Sequence, residues 1–133
     1  MIYALDTNII SYFIQDNKRV VDYIRAKLAE GNSIVISPIS YFEIRRGFKY
    51  KEAPKKEKAF AQMCELFPVG EMSLAVWERA AEIYGTNRKQ GKPIEDTDIL
   101  IAAFCIVNGY TFVTNNVKHF TNIDDLLLEN WME

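Results

Sequence analysis

Apolar residues fall along this chain in two alternating rhythms. Residues 2–5 (Ile-Tyr-Ala-Leu) form a continuous apolar run that stops at Asp6, the pattern of a strand buried on both faces. From 7 to 15 the spacing changes to three and four, through Ile9, Ile10, Phe13 and Ile14, which predicts a helix. A second helix is expected over 18–30, carrying Val20 or Val21, Ile24 and Leu28, with Gly31 as its stop. Ile34, Val35 and Ile36 make a second β-branched run within 33–37. Ser37 followed by Pro38 has the form of an N-cap and first helical residue. The helix it opens should turn Ile39, Phe42 and Ile44 inward and end near Gly47.

The pattern predicts a further helix over 54–66, a short strand at 67–69, and a long helix after Ser73 with Leu74, Val76, Trp77, Ala80, Ala81 and Tyr84. Gly91-Lys92-Pro93 breaks it. Residues 98–108 place Leu100, Ala103, Phe104 and Val107 on one helical face, ended by Gly109. Phe112-Val113 centres a third strand at 111–114, and 126–128 supplies another short one. Short apolar strands alternating with amphipathic helices predict an α/β domain on a parallel sheet.

A length of 133 residues without a Gly-, Ser- or Pro-rich linker predicts one domain over 1–133. The net charge of −2 excludes the bulk attraction to nucleic acid of a strongly basic protein. The longest apolar run, 99–107, is about half the roughly 20 residues needed to cross a bilayer, and the N-terminus has no secretory pattern. No membrane association and a cytoplasmic location are therefore expected. Cys64 and Cys105 lack CxxC spacing, so they read as reduced, buried thiols.

Function in a parallel sheet collects where strands end and helices begin. Asp6 follows the first strand, Glu43 lies in the helix after the second, and Asp96 and Asp98 open the helix before the third. Asn115 and Asn116 follow that third strand directly. All are expected on one edge. Carboxylates gathered without a cation repel one another. A hard divalent ion removes the conflict, and an Asp, Glu and Asn set without competing His or Cys suits Mg²⁺ or Mn²⁺. Such an ion acidifies a water and stabilises charge at phosphorus. Residues 45–58 add seven basic side chains against two acidic ones, interleaved with Phe48 and Tyr50. A positive patch beside an acidic metal pocket suits a polyphosphate substrate, with RNA the natural candidate.

Four motifs occur in order: Leu5-Asp6-Thr7-Asn8, Ile39-Ser40-x-x-Glu43-Ile44, Asp98-x-x-Ile101-Ala102-Ala103 and Val113-Thr114-Asn115-Asn116. Together they resemble the PIN-domain ribonucleases, and among them the VapC-type toxins of bacterial type II toxin–antitoxin pairs. The resemblance runs through the closing segment 126–131. It implies a PIN-like three-layer α/β/α fold with a short, mostly parallel central sheet. It also implies Mg²⁺- or Mn²⁺-dependent endoribonuclease activity, with transfer RNA the usual substrate, and a small VapB-type antitoxin as partner. A homodimer or a hetero-oligomer with the antitoxin is expected on the same ground. Carried over by position, Asp6, Glu43 and Asp98 match the main acidic residues, and Asn116 matches a fourth position that is often Asp. As catalytic residues these four are Asp6, Glu43, Asp98 and Asn116. As metal ligands the set is Asp6, Asp98, Glu43 directly or through water, and Asp96, which either assists or caps its helix.

Each residue also has a plainer role. Asp6 can N-cap the following helix, Glu43 can pair with Arg46, and the basic run can be a solvated face. Thr7 and Thr114 either orient metal-bound water or hold turns. Asn115 reads as a turn residue, His119 as a lone surface imidazole, and Trp77 and Trp131 as packing residues. Two rival functions remain: a non-catalytic RNA- or protein-binding α/β domain, and a phosphorylated receiver-type domain. The latter needs a paired acid at the first strand and a Lys near the last, where this chain has one Asp and Asn115-Asn116.

Overall fold

The computed structural model describes residues 1–132. Strands β1 (Ile2–Leu5), β2 (Ser33–Ile36), β3 (Thr111–Val113) and β4 (Leu128–Glu129) lie in the order β2-β1-β3-β4, every pairing parallel. Helices α1 (Thr7–Ile14), α2 (Lys18–Ala29), α3 (Pro38–Tyr50), α4 (Pro54–Leu66), α5 (Leu74–Lys89) and α6 (Asp96–Asn108) cover its two faces. This is the three-layer α/β/α arrangement that the sequence predicts. No helix among the described residues is long and apolar enough to cross a membrane.

The two-residue period of a strand sorts the core into two halves. Tyr3, Leu5, Ile34, Ile36 and Val113 point to one face, where they meet Ile9, Ile10 and Ile24 of α1 and α2 and Phe60 and Met63 of α4. Ala4, Val35 and Phe112 point to the other, against Val76, Ala80 and Ile83 of α5 and most of α6. Helix α6 is buried nearly all round at Ile99, Ile101, Ala102, Ala103, Phe104 and Cys105. One face would not suffice here, because α6 is wedged between the sheet and α5. Val107, expected on the inner face, is 38% exposed.

Local chemistry places the helix ends. The Ser37 hydroxyl accepts the Ser40 N–H at 3.0 Å and Pro38 follows, as expected for an N-cap with proline at the first position. Ser73 caps α5 in the same way, accepting from Val76. Gly109 ends α6 at φ 71, a left-handed conformation that glycine adopts without a Cβ clash.

Several expectations fail for tertiary reasons. Helix α3 runs past Gly47 to Tyr50, since the chain there stays helical and Lys51 still donates to the Gly47 carbonyl. Phe42 is 58% exposed. Ser40 and Ile44 define the buried stripe of α3, and at 3.6 residues per turn Phe42 lies about 200° away from either. Residues 67–69 form no named strand; Val69 makes one isolated parallel bridge to Ile36 at the sheet edge. Trp77 is no packing residue, at 49% exposure, because α5 buries the stripe Val76, Ala80, Ile83 and Asn87 instead. Cys105 is buried as expected, whereas Cys64 is only half-buried; both thiols are free.

The strand order is what positions the site. β1 sits between β2 and β3, so the direction of chain progression reverses at its carboxyl end. Asp6 stands there, and its N–H continues the ladder by donating to the Val113 carbonyl at 2.8 Å.

Candidate functional site

Asp6 leaves β1 in an extended conformation (φ −64, ψ 156) and N-caps α1, its Oδ1 accepting the Thr7 N–H at 2.7 Å. The capping role is real, yet it occupies one oxygen only. Oδ2 accepts from the Thr114 hydroxyl at 2.7 Å. Thr114 is fully buried at the end of β3, and its Oγ1 also accepts the Asn116 N–H at 3.0 Å. On the other side, the Thr7 hydroxyl donates to Glu43 Oε1 at 2.8 Å. A continuous polar chain therefore runs Glu43–Thr7–Asp6–Thr114–Asn116, joining the ends of β1 and β3 to α3. Glu43 also lies 3.7 Å from the Arg46 guanidinium, so its ion pair and its place in this chain coexist.

Asp98 enters from the first turn of α6. Burial, the Asp6 charge and, more weakly, Glu43 raise its pKa above the usual carboxylate value. Asp6 is raised as well, chiefly by burial; the bonds from Thr114 and Thr7 oppose the rise and the Glu43 charge adds to it. The three acids thus act on one another through space. Beneath them the Cys105 thiol is pushed far up by burial, with a contribution from Asp6, so it stays protonated and inert.

The donor set is hard oxygen. Among the described residues no three His, Cys, Asp or Glu side chains close into a compact metal-binding group. Threonine hydroxyls stand between the carboxylates instead, which suits an ion that keeps several waters and takes only one or two carboxylates directly. A buried acid and a half-buried one that repel each other are also the electrostatic condition that a divalent cation relieves. The residues fit such an ion.

Other expected residues separate from this group. Asp96 is exposed at the first position of α6, with Glu95 preceding it as the cap residue and no side-chain cap bond. It therefore does not cap the helix with its side chain. Asn116 joins the chain through its backbone N–H. Asn115 holds its carboxamide oxygen out of solvent without a hydrogen-bond partner. The sequence reading left the threonines undecided and set His119 apart. The structure makes Thr7 and Thr114 the connectors, and puts His119 Nδ1 at 3.8 Å from Asp98 Oδ2. A Thr within two residues of the end of each of two strands was the available signal; the His119 contact left none.

The basic run divides between α3 and α4. Arg45 pairs with Glu57 at 3.7 Å, and Arg46 lies over the Phe42 ring at 5.4 Å. Lys49, Lys51, Lys55, Lys56 and Lys58 are exposed. A cavity of about 350 Å³ leads from Thr7 and Glu43 past Ile44 and Phe48 to Lys51 and Lys56. A larger one, about 600 Å³, lies at the opposite edge against Ile2, Ser33 and Tyr110 and touches none of the acids.

Comparison with known proteins agrees with this architecture. The family model described as PIN domain matches residues 3–126. The chain is 34% identical over 134 residues to Ribonuclease VapC2 of Rickettsia felis, and 31% identical over 136 residues to Ribonuclease VapC1 of Haemophilus influenzae, covering 98% of each chain in both cases. Among solved structures it resembles VapBC2 from Rickettsia felis bound to a DNA fragment from their promoter, with TM-score 0.90, 30% identity and coverage of 98% of this chain and 99% of that one. It also resembles VapBC-1 from nontypeable Haemophilus influenzae, with TM-score 0.88, 28% identity and full coverage of both chains.

Proposed function

Because this chain belongs to the PIN-domain family, we propose that it is a metal-dependent endoribonuclease toxin restrained by a small antitoxin. Relatives similar over almost their whole length carry the name ribonuclease, and the similar structures are toxin–antitoxin complexes. The whole chain acts as one nuclease unit in the cytoplasm. The observation that carries the chemistry is the polar chain centred on Asp6, with Asp98 close enough for the Asp6 charge to raise its proton affinity.

Asp6, Glu43 and Asp98 would hold Mg²⁺ or Mn²⁺, directly or through water, with Asn116 completing the polar rim. Asp96, exposed, is at most an outer contact. A divalent ion in this place supplies charge neutralisation at the scissile phosphodiester and acidifies the attacking water. Thr7 and Thr114 fix the carboxylate oxygens of Glu43 and Asp6, so the acids meet the substrate already oriented. RNA, with transfer RNA the class that the resemblance implies, would lie along the exposed lysines of α3 and α4.

The antitoxin is assigned to the groove between α1 and α3, where Ile14, Ile44 and Phe48 give an apolar floor beside Glu43. Self-association is assigned to α5, whose outer face carries Leu74, Trp77 and Tyr84 at 77%, 49% and 44% exposure. Asp6→Asn protein should fold and bind RNA yet lose cleavage in Mg²⁺. Undiminished cleavage by that variant would remove the assignment, and binding without cleavage by the wild type would favour the binding-domain alternative.

A further inference from the structure

A separate cavity opens on the Asp98 side of the acids. It measures about 280 Å³ and is lined by Asn115, Asn116, Val117, Lys118, His119 and Asn130. Two contacts tie it to the acid cluster. The Asn116 N–H is bonded to the Thr114 hydroxyl that serves Asp6, and His119 lies 3.8 Å from Asp98.

Its chemistry differs from that of the neighbouring acids. Carboxamides, an ammonium and an imidazole form its walls, Val117 is the apolar exception, and no carboxylate lines it. Lys118 is exposed and has no carboxylate within ion-pair distance among the described residues, unlike Arg45 and Arg46 on the other flank. Asn115, in the wall of this cavity, keeps a carboxamide oxygen out of solvent and without a donor, a bond left unmade within the protein. Carboxamides offer the paired donor and acceptor that read base edges, and a lysine supplies a point charge for phosphate. The volume stands at the low end of ligand pockets, which suits one small unit of a chain. Single-stranded RNA presents such a unit, an unstacked base with its ribose and phosphate.

We propose that this cavity is a nucleotide subsite, taking one residue of single-stranded RNA that flanks the bond to be cut. Lys118 holds its phosphate, and the amides of Asn115 and Asn130 read its base. The assignment rests on the nuclease reading for the position of the cut, and on the cavity alone for binding.

The test uses the full chain and short random-sequence oligoribonucleotides. Lys118→Ala removes a surface charge and leaves the core untouched. Asn130→Asp keeps the oxygen that accepts the Met132 N–H at 2.9 Å while adding a negative charge to the cavity. Each should weaken RNA binding about ten-fold by fluorescence anisotropy at low salt, the scale of one lost charge-assisted contact. In Mg²⁺ cleavage assays each should raise KM to a similar degree with kcat held within about two-fold. Asn115→Ala should change the preferred base at one position next to the cut, read by sequencing the cleaved ends. Unchanged affinity, KM and base preference in variants that melt like the wild type would overturn the subsite while leaving the nuclease reading intact. Weakened binding by the variants of a protein that cleaves nothing would overturn the nuclease reading and keep the subsite. A wild type that neither binds nor cuts these RNAs would end both.

Discussion

The Thr114 hydroxyl donates to Asp6 Oδ2 at 2.7 Å although 108 positions separate the two residues. Both are buried, so the carboxylate oxygen has little water to fall back on. Thr114→Val keeps the shape and deletes the donor. The expected loss is about 1–3 kcal/mol of stability in urea unfolding near neutral pH. Thr114→Ser should recover most of it, and a Val variant as stable as the wild type would show the bond to be incidental.

Burial and neighbouring charge hold Asp6 and Asp98 above the usual value of 3.8. Between 3.8 and their raised values the folded protein binds more protons than the unfolded chain. Their contribution to stability therefore falls as pH rises through that window, and the penalty is complete above it. Mg²⁺ should raise the melting temperature at about pH 7.5 and do little at about pH 4. The Asp6→Asn, Asp98→Asn double variant should lose that response. An equal Mg²⁺ shift in both proteins would place the ion elsewhere.

Gly70 donates its N–H to the Ile36 carbonyl at 2.9 Å and lies against a buried ring. A Cβ there would overlap the Phe104 ring. Gly70→Ala must push the Phe104 ring into the α5–α6 packing, at an expected cost of about 1–3 kcal/mol. Chemical denaturation checks it. Phe104→Leu in the same chain should recover part of the loss, since the shorter side chain gives the methyl room.

The two tryptophans should behave oppositely. Trp131 is 1% exposed, stacks on Tyr23 at 5.4 Å and donates Nε1–H to Glu129 at 3.0 Å. Trp131→Ala should cost about 3–5 kcal/mol. Trp77→Glu, on the outer face of α5, should change stability by less than about 0.5 kcal/mol. If that face joins two copies, sedimentation velocity will show the Trp77→Glu protein smaller than the wild type; an unchanged size assigns the contact elsewhere.

Much of the fold was legible along the chain because it is written in local rules. The apolar runs at residues 2–5 and 34–36 are short and unbroken because both sheet faces are covered. Ser37-Pro38, Ser73 and Gly109 mark helix ends through their own backbone chemistry. Asp6, Glu43 and Asp98 were identifiable as candidates because Asp6 follows β1, Glu43 lies in the helix after β2, and Asp98 lies in the first turn of α6.

Tertiary structure decided the rest. The stripe a helix buries depends on the axis of its neighbours, so Phe42 and Trp77 turned outward while Ser40 and Asn87 turned in. The place of β3 beside β1 brought Thr114 to Asp6, and the same juxtaposition brought His119 to Asp98. Hydrophobic period and capping chemistry act over a few residues and were therefore readable in the sequence. Strand order is set by burial summed over the whole sheet, so the hydrogen bonds and charge contacts it creates between distant residues had no local signature.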